Sequence, residues 1–97
     1  MNEADILLSR LAIDQIAQLT PAIGRALLNA LTTLARFPES TPIVPQDGYG
    51  AYRQVIVKGY RAIYRYFSEY HQVRIYCVLH TRRQLPAPEF LYYQLFN

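Results

Sequence analysis

Residues 52–83, YRQVIVKGYRAIYRYFSEYHQVRIYCVLHTRR, contain three runs rich in Val, Ile and Tyr, joined by very short links. Such composition favours strands at about 52–58, 60–67 and 73–80. Lys58-Gly59 separates the first pair, and Ser68–Gln72 separates the second. Links of that length leave room for hairpins and not for crossovers, so the three strands are expected to pair antiparallel. In the last run Val73, Ile75, Cys77 and Leu79 alternate with Arg74, Tyr76, Val78 and His80, which predicts one apolar and one mixed face. A sheet with one apolar face needs a cover.

The first forty residues supply it. Leu8, Leu11, Ala12, Ile16 and Leu19 recur at helical spacing, so about 10–19 is expected to be a short amphipathic helix with Ser9 as its N-cap. Thr20-Pro21 starts a second helix: threonine caps, and proline at the first helical position loses no needed hydrogen bond. Ile23, Leu27, Ala30, Leu31 and Leu34 form its apolar stripe, and Pro38 ends it near Phe37. The two helices are expected to make an antiparallel hairpin. Residues 4–9 are either a first strand or the start of a helix. Residues 38–50 are a connector with three prolines and two glycines. The tail, Pro86 to Asn97, is apolar and aromatic, and helix and strand are both open for it.

The fold class is therefore α+β, an N-terminal helix hairpin on a small twisted antiparallel sheet, with a possible β-α-α-β-β-β order. At 97 residues one domain is expected over 1–97. The single cysteine, Cys77, excludes an intrachain disulfide and fits a reducing cytoplasm. MNEADILLSR lacks the basic start and apolar run of a signal peptide, and no stretch approaches the roughly 18 apolar residues of a membrane span. A cytoplasmic protein with no membrane partner is expected.

Charge is distributed unevenly. Residues 49–97 carry seven basic side chains (Arg53, Lys58, Arg61, Arg65, Arg74, Arg82, Arg83) against Glu69 and Glu89. Residues 1–48 carry Arg10, Arg25 and Arg36 against five acidic residues. The net charge is only +3, so an anionic partner is to be met by local clustering on the sheet rather than by bulk charge. Two histidines and one cysteine, widely spaced, make no metal site, and no glycine-rich phosphate loop is present, so no cofactor is expected.

The order Tyr52-Arg53, Gly59-Tyr60-Arg61-x-x-Tyr64-Arg65, and Val78-Leu79-His80-Thr81-Arg82-Arg83, with the helix exit Leu34-Ala35-Arg36-Phe37-Pro38, resembles the RelE/ParE superfamily, the toxins of bacterial type II toxin–antitoxin pairs. The resemblance covers about residues 6–85 and leaves 86–97 as a C-terminal extension. It implies a toxin that arrests growth and is neutralised by a cognate antitoxin whose disordered segment folds around it. RelE-type members cleave messenger RNA on the ribosome with several Lys/Arg and often a C-terminal tyrosine or histidine. By that resemblance Arg61 and Arg82 match two arginines, and Arg53 falls near a third basic position. Val55 stands where a further basic residue is expected, and Pro86 where the tyrosine is expected; Tyr92 and Tyr93 come too late to be carried over. ParE-type members poison DNA gyrase and carry no catalytic set. The ending His80-Thr81-Arg82-Arg83-Gln84 and the proline-rich connector look more like that branch, and the short first helix more like RelE. The ParE-like action is slightly favoured, with the RelE-like endoribonuclease and an inactive antitoxin-binding module as alternatives.

Each alternative assigns the same residues differently. Cleavage by 2′-OH attack needs a base, an acid and positive charge on the phosphate. A RelE-like reading gives Arg61 and Arg82 the phosphate and His80 the role of base, without a metal. His80 can equally hold a structural hydrogen bond at the strand end. Arg53, Lys58, Arg61, Arg65, Arg82 and Arg83 are the candidates for binding nucleic acid or an acidic partner, gathered on one face of the sheet. Tyr52, Tyr60, Tyr64, Tyr66, Tyr70 and Tyr76 interleave with these arginines, as stacking platforms do, although tyrosine is also simply a good strand former. His71 is expected to be solvated in its turn, and Cys77 to be a small buried hydrophobe.

Overall fold

The computed structural model describes residues 2–96. The elements are β1 (Asp5–Leu8), α1 (Arg10–Ala17), α2 (Pro21–Arg36), β2 (Arg53–Val57), β3 (Tyr60–Phe67), a 3-10 turn (Ser68–Tyr70), β4 (Gln72–His80) and α3 (Pro88–Tyr92). Among the described residues no helix is long and apolar enough to cross a membrane. The helix starts fall where the caps place them. The Ser9 hydroxyl accepts from the Ala12 N–H and the Thr20 hydroxyl from the Ile23 N–H, with Pro21 in the first turn of α2. Helix α2 stops at Arg36, one residue before its C-cap Phe37.

The four strands form one sheet in the order β1-β4-β3-β2. Strands β2, β3 and β4 are antiparallel neighbours, as their short links require. The Lys58-Gly59 turn puts both residues at positive φ (53° and 82°), the conformation a two-residue hairpin loop demands. Residues 5–8 form the edge strand, and it runs parallel to β4, from Asp5 opposite Gln72 to Leu8 opposite Ile75. The sheet is thus mixed, not wholly antiparallel. The two helices lie on it separately: α1 contacts mainly β4, and α2 contacts β2. They are seated on the strands rather than on one another, which modifies the expected hairpin.

The alternation predicted for β4 breaks in mid-strand. Ile63 pairs with Cys77 and Tyr64 with Ile75, so Tyr76 is an extra residue, a β-bulge. Beyond it the phase of two is reversed. Val73, Ile75 and Val78 face the helices with Ala62 and Tyr64, while Tyr76, Cys77 and Leu79 belong to the other side. Each face therefore has its own core. Under the helices, Leu27, Leu31 and Leu34 of α2 are buried against Tyr64, Val73 and Ile75, each leucine contributing about 1.5–3 kcal/mol on leaving water.

The opposite face, expected to be an open basic platform, is filled in its middle by a second core. Val44, Tyr49 and Tyr52 of the connector pack there with Ile63, Tyr76 and Cys77, and with Leu85 and Leu91 of the tail. The tail is a short helix followed by a return to the first turn of α1. The Arg10 N–H donates to the Leu95 carbonyl at 2.9 Å, Ser9 bridges to Phe96, and the Phe96 ring stands edge-on to Tyr76 at 5.0 Å. The buried Tyr49 hydroxyl donates to the Pro86 carbonyl and ties connector to tail.

Candidate functional site

Strand β4 ends beside the β2–β3 turn, and the Thr81 N–H donates to the Gly59 carbonyl at 2.9 Å. Strand register therefore brings Lys58, Arg61, His80, Arg82 and Arg83 to one end of the sheet. The chain turns sharply there: the Arg83 N–H donates to the His80 carbonyl at 2.9 Å, and the Arg82 N–H to His80 Nδ1 at 3.1 Å. Arg61 holds the turn from below. Its Nη2 donates to the Arg83 carbonyl at 2.7 Å and lies 3.5 Å from the Thr81 carbonyl, while its Nε is buried without a partner. The side chains of Lys58, Arg82 and Arg83 are exposed.

These bonds bear on the chemistry proposed for the site. Arginine grips a phosphate through its free fork, and one arm of Arg61 is committed to backbone carbonyls. A general base needs an unprotonated ring nitrogen. The His80 Nδ1 lone pair already accepts from the Arg82 N–H, so this nitrogen is engaged and is not free to act as the base. The imidazole stands edge-on to Tyr60, with centroids 5.1 Å apart, beside a cleft of about 330 Å³ bordered by Gln15, Gln18 and Arg83. A smaller cleft of about 200 Å³ adjoins it through Gln15 and runs past Leu11 and Cys77 to Phe90. A roomier cleft, about 690 Å³, lies between residues 2–3, the exit of α2 and His71, and shares no residue with the β4 exit.

Two of the predicted basic residues stand apart from this group. Arg53 pairs with Tyr64 and so points to the helix side of the sheet. It donates to the Thr41 carbonyl at 2.5 Å and approaches the Glu39 carboxylate at 3.8 Å, strapping the connector onto β2. The expectation of arginines gathered on a single face fails for Arg53, because odd-numbered residues of β2 and of β3 face opposite sides in this register. Arg65 lies on the same face as Arg61 but four residues along β3, roughly 13 Å at ordinary strand rise. There it is the cross-strand partner of Arg74, a residue counted in the basic total and given no role. The signal for it was available: folding the hairpin about residues 68–71 sets 65 against 74.

Burial governs the titrating groups beneath this face. It pushes the Cys77 thiol up to about 12 and Tyr49 up to about 12, and it raises Tyr52 and Tyr76 against the opposing pull of Arg65. Cys77 is the inert buried hydrophobe expected of it. His71 departs from expectation. Its ring is bonded at both nitrogens, to the Tyr66 hydroxyl at 2.8 Å and to the Asn2 carbonyl at 2.8 Å, and so staples the start of the chain to the β3–β4 turn.

Comparison with known proteins places this geometry. The profile of the family described as ParE toxin of type II toxin–antitoxin system, parDE, matches residues 6–85. Among solved structures, the chain is similar to the toxin–antitoxin complex RelBE2 from Mycobacterium tuberculosis, with a TM-score of 0.72 and 23% identity over 80% of this chain and 98% of that one. It is also similar to the intact E. coli RelBE complex (TM-score 0.70, 18% identity, 82% and 99% covered). The archaeal RelE–RelB complex from Pyrococcus horikoshii follows (TM-score 0.65, 17% identity, 84% and 99% covered). At these identities the likeness is one of fold. Among curated proteins, none matches the chain.

Proposed function

We propose a function from one premise: the chain belongs to the ParE toxin family of type II toxin–antitoxin systems. The protein arrests growth by acting on DNA gyrase rather than by cutting messenger RNA, and a cognate antitoxin neutralises it. The observation that carries the target is the state of the residues a nuclease would use. Arg61 is bonded to backbone carbonyls of the β4 exit, His80 Nδ1 is occupied by the Arg82 N–H, and Arg53 is on the far face of the sheet, so that, among the described residues, Arg82 alone of the nuclease set keeps a free side chain. A cleavage set needs a free guanidinium on the phosphate and a free lone pair on the base, placed together. The antitoxin is supported by the structural relatives, which are toxin–antitoxin complexes.

The test is induction of the protein in growing bacteria, with transcripts and DNA followed together and purified protein added to a gyrase supercoiling assay. Gyrase inhibition and DNA damage signalling, with transcripts intact at the onset of arrest, are the expected result. Transcripts cut at the onset, with cutting abolished by Arg82→Ala, establish the endoribonuclease instead. Undisturbed growth establishes an inactive antitoxin-binding module and removes both.

A further inference from the structure

The far end of the sheet carries a second arrangement that the β4 exit does not explain. Arg65 of β3 and Arg74 of β4 are directly opposed across the strands. Like charges so placed repel, and among the described residues no carboxylate pairs with either, the one ion pair there being Arg53–Glu39. Aromatic rings hold them instead. The Arg74 guanidinium lies 4.1 Å from the centre of the Phe67 ring and the Arg65 guanidinium 4.7 Å from the same ring. Arg65 also lies 5.7 Å from Tyr52, and Arg74 6.0 Å from Tyr70. Gln72 accepts from the Arg74 Nε at 2.9 Å and fixes its plane. The second core, with Phe96 against Tyr76, lies between this pair and Arg61.

We propose that Arg65 and Arg74 form a phosphate-binding site for single-stranded nucleic acid, with the exposed Tyr70 ring stacking the adjacent base. Two forks set against one ring, with the Tyr76 hydroxyl in reach of both and no carboxylate paired with either among the described residues, keep their charge unneutralised, the disposition that takes a phosphate. A lone carboxylate satisfies one such fork; the several oxygens of a phosphate reach both. Tyr70 is 64% exposed next to Arg74, which supplies a ring where a base would follow its phosphate. An acidic peptide has no use for that ring, and this favours nucleic acid over a protein partner. The inference goes beyond the target of arrest and does not rest on it.

The test is fluorescence anisotropy of the full chain with a labelled oligothymidylate of about ten nucleotides, within ordinary single-strand site sizes, measured across a salt series. Arg65→Gln with Arg74→Gln is expected to weaken binding and to flatten the plot of log affinity against log salt by about 0.7, the share of the one phosphate the two forks hold. Tyr70→Ala, at an exposed ring of the β3–β4 turn, is expected to cost about tenfold. Arg25→Gln with Arg36→Gln on α2 removes the same charge elsewhere and is expected to leave the slope unchanged. Wild-type affinity and slope in the Arg65/Arg74 variant, or an equal loss in the α2 variant, overturns the proposal. So does tighter binding of polyglutamate than of the oligonucleotide, which marks the pair as a site for acidic protein.

Discussion

Ser9 serves several parts of the fold at once. Its hydroxyl accepts from the Ala12 N–H at 2.9 Å and donates to the Tyr76 carbonyl at 2.7 Å, and its own N–H donates to Ile75 at 2.9 Å. It caps α1 and also secures the backbone of the β4 bulge, with no solvent exposure. Ser9→Ala leaves the Ala12 N–H and the Tyr76 carbonyl short of a partner, a loss of about 1–3 kcal/mol. Urea unfolding checks this, and an unchanged midpoint contradicts it. The cap was legible because serine before an apolar periodic run has a local cause. The second bond was not, since Tyr76 is 67 residues away. His71 follows the same logic: Tyr66 is five residues away, but the Asn2 carbonyl that takes the other ring nitrogen is 69 residues away and nothing local marks it.

At the level of elements, the strands and both long helices follow from period, caps and turn chemistry. The bulge at Tyr76 does not. One extra residue reverses the inward and outward sets, so counting by twos along β4 put Val78 with Arg74 when it packs with Val73 and Ile75. Helix α3 was equally hidden. Five residues give too short a period to read, and its buried Leu91 packs into a core begun by Val44, Tyr49 and Tyr52 of a distant connector. Gly48 shows how closely these segments meet. It has a φ of +82°, and a Cβ there would lie 2.9 Å from Pro88 Cγ. Gly48→Ala both strains the backbone and pushes α3 away, and is expected to cost more than about 1 kcal/mol. A lowered melting temperature checks it; a melting temperature at the wild-type value removes the close approach from the account.

The whole molecule is a sheet filled on both sides, and the second filling draws on residues past the stretch that matches the family. The charge asymmetry between front and back halves was plain from the sequence. Its division into a β4-exit group, the Arg65–Arg74 pair and the isolated Arg53 was not, because strand register and the second core decide it. That core also fixes how stability responds to alkali. Folding holds Cys77 and Tyr49 protonated up to about 12, whereas exposed thiols and phenols ionise near 9.0 and 10.0. The unfolded chain therefore releases these protons first. Their contribution is intact below pH 9 and is lost as pH rises from there toward 12. Denaturation midpoints measured across that interval are expected to fall, and Cys77→Ala to flatten the fall; a pH-independent midpoint contradicts the burial of both groups. The parallel pairing of Asp5–Leu8 with Gln72–Ile75 sets a timetable for synthesis. Strand β1 has to wait for β4, made only after both long helices and the other two strands, so a nascent polypeptide cannot finish its sheet until Gln72–His80 has emerged.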